Sequence, residues 1–271
     1  MNGGFLSPEK FRLLSREVHL FLEVLDARAP IATRGEEIAG PWLKGRPRVA
    51  ALTKADVANP KTTKAWQGYF LEVENVRAYP FSKHDRHFIS RMLKDLNEWR
   101  DMRKPNRLVK VLVVGVPNVG KSSLVNALCG MKKARVGDEP GITKGPQWIR
   151  LSPQLLLLDS PGMLNPDLDS VRQTRMLAAL GCLPQGTYDA EEVAIWLLAQ
   201  LKRLEAPKKA WDALKLESPE PEESELLTLS AKRHHFVRPG GEPDLKRAAD
   251  HVLFQFKKGH LGAISLEAPP R

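Results

Sequence analysis

The sequence predicts an α/β domain, a mostly parallel sheet flanked by helices, over residues 1–170, followed by a small all-α domain over 171–271. Three observations carry that expectation. Short β-rich apolar segments alternate with longer segments of helical periodicity up to about Ser170. Only helical patterns recur beyond it. A glycine-punctuated loop joins one apolar strand to a helix at Val111–Leu128, the strand-loop-helix unit typical of a parallel sheet.

The elements follow in order. Strands are expected at Val18–Leu25, Val49–Thr53, Val76–Phe81, Val111–Val114, Trp148–Leu151 and Leu155–Leu158. Within Lys83–Lys104, Phe88, Ile89, Met92, Leu93, Leu96 and Trp99 recur every three or four residues, which makes an amphipathic helix. Later helices are expected at Val171–Leu183, Asp189–Leu201 and Asp244–Lys257. The second opens with Asp189 and Glu192 in capping-box spacing. Glu217–Glu225, rich in Glu and Pro, reads as a solvated linker.

Composition bounds the function. The 271 residues are 42% hydrophobic and 27% charged, enough apolar material for a buried core and too much for a disordered chain. No apolar run approaches the roughly 18–20 residues that cross a bilayer. The start lacks a basic segment leading into an apolar one, and Cys129 and Cys182 are isolated, so a reducing cytoplasm is expected. The net charge of +10 points to a polyanionic partner such as nucleic acid. Residues 1–108 hold 20 basic and 13 acidic side chains, 109–170 hold 7 and 5, and 171–271 hold 15 and 14. Most of the surplus therefore lies in the α/β half. In the helical half, 230–258 has 7 basic and 3 acidic residues, and Lys232, Arg233 and Arg238 are the expected RNA contacts. A second basic stretch, Arg77–Lys110, can present Arg86, Lys94, Arg100 and Arg103 to phosphates or serve only solubility.

The strongest chemical signal is Gly115-Val-Pro-Asn118-Val119-Gly120-Lys121-Ser122-Ser123, a strand entering G-x-x-x-x-G-K-S and then a helix. Its glycines let successive backbone N–H groups curl around phosphate oxygens, and the helix N-terminus adds positive potential. Lys121 reaches the β/γ phosphates, and Ser122 can ligate Mg²⁺. Such a loop does not choose between ATP and GTP. Thr53-Lys54-Ala55-Asp56 ends a strand, and the Asp56 carboxylate can accept from the adjacent N1–H and 2-amino donors of guanine, a pair that adenine lacks. Phe81-Ser82 closes the next strand, where a backbone N–H can meet the guanine O6. Downstream, Asp159 ends a strand and can hold Mg²⁺ through water, while the Gly162 N–H senses the γ-phosphate. Thr143, in the polar loop Gly137–Lys144, can complete the metal shell. Singly, the Thr-Lys-x-Asp run and Thr143 read as ordinary loop residues. Together, every piece falls at the carboxyl end of an expected strand or in the loop after it, where open parallel sheets bind ligands. The base-reading segments precede the phosphate loop, so the chain reads as a circularly permuted P-loop GTPase.

These residues resemble the ribosome-biogenesis GTPase A family. The resemblance runs through Val24-Leu-Asp-Ala-Arg-Ala-Pro30, Thr53–Asp56, Gly115–Ser123, Pro140-Gly-Ile-Thr143, Asp159-Ser-Pro-Gly162, Asp189–Leu198, Gly240–Leu245 and Gly259–Glu267. It implies a GTPase, using GTP/GDP and Mg²⁺, that binds a late precursor of the large (50S) ribosomal subunit and helps it mature, with the helical domain on ribosomal RNA. It also implies K⁺ beside the phosphates, held through Asn118. Off the ribosome, with its rRNA and ribosomal proteins, a monomer is expected.

Three departures stand out. Thr53 replaces the Asn of many members, which is expected to weaken a side-chain tie between base loop and phosphate loop. Met163 follows the Asp-x-x-Gly motif, as in the family, where other GTPases use a water-orienting glutamine. Met1–Arg16 contains no counterpart of the family's Trp-Phe-Pro-Gly-His-Met stretch and its histidine. His19 falls in the first expected strand and reads as structural. Either the water is positioned otherwise, or upstream residues supply the histidine, or hydrolysis is weak. The rival to a nucleotide switch is accordingly a GTP-binding assembly scaffold with little or no hydrolysis.

Overall fold

The computed structural model describes residues 8–34, 45–82, 86–103, 108–129, 147–159 and 170–270. By internal contacts the chain divides into two compact units. One comprises Met1–Asp56, Pro60–Asp167 and Glu267–Arg271, the other Val57–Asn59 and Leu168–Leu266. Two short segments thus belong with the unit opposite to their sequence neighbours, an exchange that no local pattern announces.

In the first unit the described elements are α1 (Pro8–Glu17), β1 (Leu20–Asp26), β2 (Arg48–Thr53), α2 (Pro60–Glu74), β3 (Arg77–Phe81), α3 (Arg86–Arg103), β4 (Val109–Val114), α4 (Lys121–Leu128), β5 (Gln147–Ser152) and β6 (Leu155–Asp159). The strands form one sheet in the order β3-β2-β1-β4-β6-β5. Every neighbouring pair is parallel except β5 with β6. β1 is buried along its whole length and β4 nearly so, as strands covered on both faces must be. From β1 the chain builds outward through β2 to β3, then returns to β4 on the other side of β1. That reversal makes the crevice between the carboxyl ends of β1 and β4 a topological switch point.

Side chains on α1 and α2 explain why these helices form where the sequence reading placed none. Phe11 of α1 packs with Val18, Phe21, Leu112, Val114 and Leu158 in one cluster. Each fully buried large apolar side chain of this kind contributes about 1.5–3 kcal/mol. In α2, Pro60 suits the first helical position, and Thr63, Trp66 and Phe70 recur on one buried face. On α3, Phe88, Met92 and Leu96 are buried as the periodicity predicts.

The second unit holds α5 (Val171–Leu180), α6 (Ala190–Arg203), α7 (Lys208–Ala213), α8 (Glu223–Arg233) and α9 (Leu245–Lys258). Three of these helices, α5, α6 and α9, start with side-chain caps. Ser170 accepts from the Gln173 N–H, Asp189 from those of Glu191 and Glu192, and Asp244 from that of Arg247. The capping-box partner behaves differently, since Glu192 pairs instead with Arg175 on α5. The Glu/Pro stretch is a loop only through Glu222. Glu223 and Glu225 form the first turn of α8, where negative charge favours a helix N-terminus, so the segment is an intra-unit loop and helix start and not a linker. Gly259 ends α9 at φ +76°, and a Cβ there would lie 2.1 Å from Val57 Cγ1, so the position requires glycine on two counts.

Candidate functional site

The expected nucleotide residues collect at the carboxyl edge of the sheet. Lys121, Ser122 and Ser123 open α4 immediately after the loop that follows β4, with Gly120 as its N-cap at φ +110°. The first backbone N–H groups of a helix have no intrahelical partner, and here they face the loop just described. Gly115 passes so close to β1 that a Cβ would lie 2.5 Å from the Val24 carbonyl oxygen. Asn118, exposed in the loop, has φ +57°, and Val119 is buried. Lys121 is buried and donates from Nζ to the carbonyls of Gly115 and Val116, both at 2.9 Å. Its ammonium is therefore held inside the loop curve by the backbone that precedes it.

β2 ends at Thr53, in register with Asp26 of β1 and Phe81 of β3, so the three strand ends share one edge. Lys54 is left-handed at φ +55°, and Ala55 and Asp56 follow in a 3₁₀ turn where Asp56 is exposed. Phe81 packs against Phe88, and Ser82 continues past it, half-buried. Thr53, which stands where many relatives carry asparagine, makes a side-chain tie of its own. Its hydroxyl lies within hydrogen-bonding distance of both the Leu25 and Val119 carbonyls, so one donor serves the end of β1 and the phosphate loop together. Threonine thus makes a side-chain tie between the base loop and the phosphate loop.

Asp159 ends β6, the strand beside β4, and is buried. Burial, aided by the Asp159 charge, pushes the Cys129 thiol up. A hydroxyl at Ser122 and one carboxylate at Asp159 suit Mg²⁺, which takes few protein oxygens and keeps several waters. The described residues contain no group of three or more His, Cys, Asp or Glu side chains that could cage a metal. Thr143, Gly162 and Met163 lie outside the described residues.

One densely bonded group at this edge is met in the sequence only within the resemblance. Asp26, fully buried at the end of β1, accepts from the Arg28 backbone N–H at 3.0 Å, from Arg28 Nε at 2.9 Å and from its NH2 at 2.8 Å. Lys54 Nζ lies 2.9 Å from the same carboxylate. Burial opposes the charge, but Arg28 and Lys54 outweigh it and hold the Asp26 carboxyl well below the usual range. Nothing in the spacing of Asp-Ala-Arg reveals a buried pair.

Other expectations fall elsewhere. His19 precedes β1 at the opposite, amino edge, where its Nδ1 accepts from the Lys110 N–H, so it is structural. Lys232 is exposed near the end of α8. Arg233 donates to the Lys215 carbonyl and pairs with Glu217, and Arg238 lies 3.7 Å from Asp244. Lys94 is exposed on α3, opposite Glu98, while the side chains of Arg86, Arg100 and Arg103 lie outside the described ones.

Fold and edge together define a P-loop GTPase whose base-binding strands precede its phosphate loop in the chain. A sequence profile described as a 50S ribosome-binding GTPase matches residues 110–215. Ribosome biogenesis GTPase A of Bacillus licheniformis is 31% identical over 271 residues, covering 96% of this chain and 93% of the relative. The Thermotoga maritima protein of the same name is 32% identical over 259 residues, 94% of this chain and 88% of the relative. The crystal structure of GNP-bound YlqF from T. maritima matches 97% of this chain and 98% of its own, with a TM-score of 0.73 at 28% identity. Its GDP-bound structure matches with a TM-score of 0.72. The chain belongs to the ribosome biogenesis GTPase A family, and its activity is GTP hydrolysis. Among the described residues, no helix is long and apolar enough to cross a membrane.

Proposed function

We propose that this GTPase is a nucleotide switch that binds a precursor of the large ribosomal subunit in the cytoplasm and promotes its late maturation. The observation that carries the reading is the convergence of Thr53–Asp56, Ser82 and Asn118–Ser123 on one sheet edge at the switch point. Asp56 accepts from guanine N1–H and the 2-amino group, the Ser82 backbone N–H meets O6, and the start of α4 with Lys121 takes the phosphates. Ser122, Thr143 and, through water, Asp159 hold Mg²⁺, which neutralises phosphate charge when bound. Asn118 is the side chain for K⁺. Gly162 and Thr143 follow the γ-phosphate.

In sequence the second switch, Asp159–Gly162, leads within a few residues to the helical domain at 171–271. A short connection of this kind couples nucleotide state to an RNA-binding module. Lys232, Arg233 and Arg238 are its proposed rRNA contacts, and the protein off the ribosome is a monomer. Hydrolysis releases the precursor. His19 at the amino edge supplies no histidine to the γ-phosphate, which favours slow turnover off the ribosome and keeps the scaffold alternative as the rival.

Single-turnover GTP hydrolysis, with and without large ribosomal particles and in K⁺ against Na⁺, tests the reading. A severalfold rise with particles and K⁺ is expected. A rate that particles leave unchanged at every salt concentration contradicts the switch, and sedimentation with particles regardless of nucleotide would leave a scaffold.

A further inference from the structure

We propose that the buried Asp26 carboxylate, oriented by Arg28 and braced by Glu267 near the end of the chain, is a positioning group for guanine recognition that acts through Lys54. The inference rests on the reading of Asp56 as the guanine acceptor and explains how that acceptor is held.

Asp56 is exposed in a short turn and lies just beyond the end of β2. Its place depends on the residue two positions earlier. Lys54 occupies the left-handed region, which a side chain with a Cβ adopts uncommonly and which relaxes unless something holds it. What holds it is the 2.9 Å pair with Asp26. Relaxation of the Lys54 backbone would move its ammonium away from a carboxylate that is wholly out of water. The cost of stripping one of two cationic partners from a buried carboxylate therefore holds the loop in its reading conformation.

Arg28 makes that anchor directional. Its Nε and backbone N–H occupy Oδ1, and its NH2 shares Oδ2 with Lys54. The bidentate geometry fixes the carboxylate plane. A further bond joins the two strand ends, from the Ala27 N–H to the Thr53 carbonyl at 2.9 Å. The turn carrying Arg28 is in turn braced by Glu267. The Glu267 carboxylate accepts from the N–H groups of Ile31 at 2.9 Å and Ala32 at 3.1 Å, its own N–H donates to the Arg28 carbonyl, and its carbonyl accepts from Trp66 Nε1. A residue more than 230 positions away thus supplies the cap that Ala27–Arg34 does not supply for itself. A structural core at the end of β1 would be served as well by apolar side chains. An apolar side chain in place of Asp26 would offer the Lys54 ammonium no acceptor.

The test uses the full chain and three ligands: GDP, inosine diphosphate, which lacks only the 2-amino group read by Asp56, and pyrophosphate, which has no base. Calorimetry gives the GDP-to-IDP affinity ratio, and circular dichroism confirms folding. A single hydrogen bond to a charged acceptor makes that ratio about 10 to 100. Asp26→Asn is expected to cut the ratio by about tenfold and Glu267→Ala by about threefold, with pyrophosphate affinity unchanged. A general loss of stability would lower the folded fraction and leave the ratio alone. A wild-type ratio in folded Asp26→Asn overturns the proposal. If that variant does not fold, a wild-type ratio in Glu267→Ala overturns it instead. Asp56→Ala separates the two levels. If Asp56→Ala collapses the ratio while the positioning variants keep it, only the positioning role fails. If Asp56→Ala keeps the ratio, the guanine assignment itself falls and takes the proposal with it.

Discussion

The two units place their charge differently. In the α/β unit Glu23, Asp26, Arg28, Arg34, Lys121 and Asp159 are all buried, and most of them lie at or near the carboxyl edge of the sheet. Among the described residues of the helical unit the buried polar side chains are two serines, Ser230 and Ser265, and none is charged. Its interior is Leu, Ala, Val and Phe, such as Leu197, Leu201, Val252 and Phe256, and its polar groups work as caps at the surface. A buried ion pair is a poor source of net stability compared with apolar packing, because desolvation offsets most of the attraction. The α/β unit therefore carries buried charge that its packing must compensate, while the helical unit has a core of apolar side chains.

The largest break in that comparison comes from removing one member of the buried pair. Arg28→Met leaves Asp26 in the interior with Lys54 as its cationic partner and one backbone N–H, and is expected to cost about 3–5 kcal/mol in urea unfolding followed by circular dichroism. The double variant Asp26→Leu/Arg28→Met should recover much of that loss. If it unfolds as readily as the single variant, the pair is retained for stability and the contrast between units is misread.

An intermediate effect is expected in the helical unit, where α5, α6 and α9 are each capped by a single side chain. Asp189→Ala removes the acceptor for two N–H groups and should cost about 1 kcal/mol, read as a lower melting temperature. Unchanged melting would show that α6 is held by its core face alone.

The smallest effect is a pH dependence. Burial, then the neighbouring His234 and Lys215, hold His251 below its ordinary value of 6.5, against a backbone bond to Ala213 that raises it. The unfolded chain therefore takes up this proton at higher pH than the folded one. Stability is full above about pH 6.5 and falls as pH drops from there through the lower folded value. Melting curves between about pH 7.5 and 5.5 should show the decline, and His251→Phe should flatten it. A decline that persists in the variant would assign it to another group.

Legibility in the sequence followed the range of the interactions. The phosphate loop and its strand and helix were readable because Val111–Leu128 carries its pattern locally, and all six strands fell where apolar runs predicted. α2 was readable in hindsight, since Pro60 and the spacing of Thr63, Trp66 and Phe70 mark it. The first turn of α8 was concealed by a Glu/Pro composition that suits both a loop and a helix start. The partners of Thr53 were hidden because they depend on how β1 and the phosphate loop approach. Asp26 with Lys54, and Glu267 with Ile31 and Ala32, were invisible because they join residues 28 to 236 positions apart.

The central claim is that Asp56, delivered before the phosphate loop in the chain, reads guanine. Affinities of wild type and Asp56→Asn for GDP and xanthosine diphosphate test it most directly. Wild type should prefer GDP, and Asp56→Asn should shift the preference toward the xanthine nucleotide, whose extra carbonyl an asparagine amide can donate to. An Asp56→Asn protein that binds GDP as wild type does, with no gain for xanthosine diphosphate, would contradict the account.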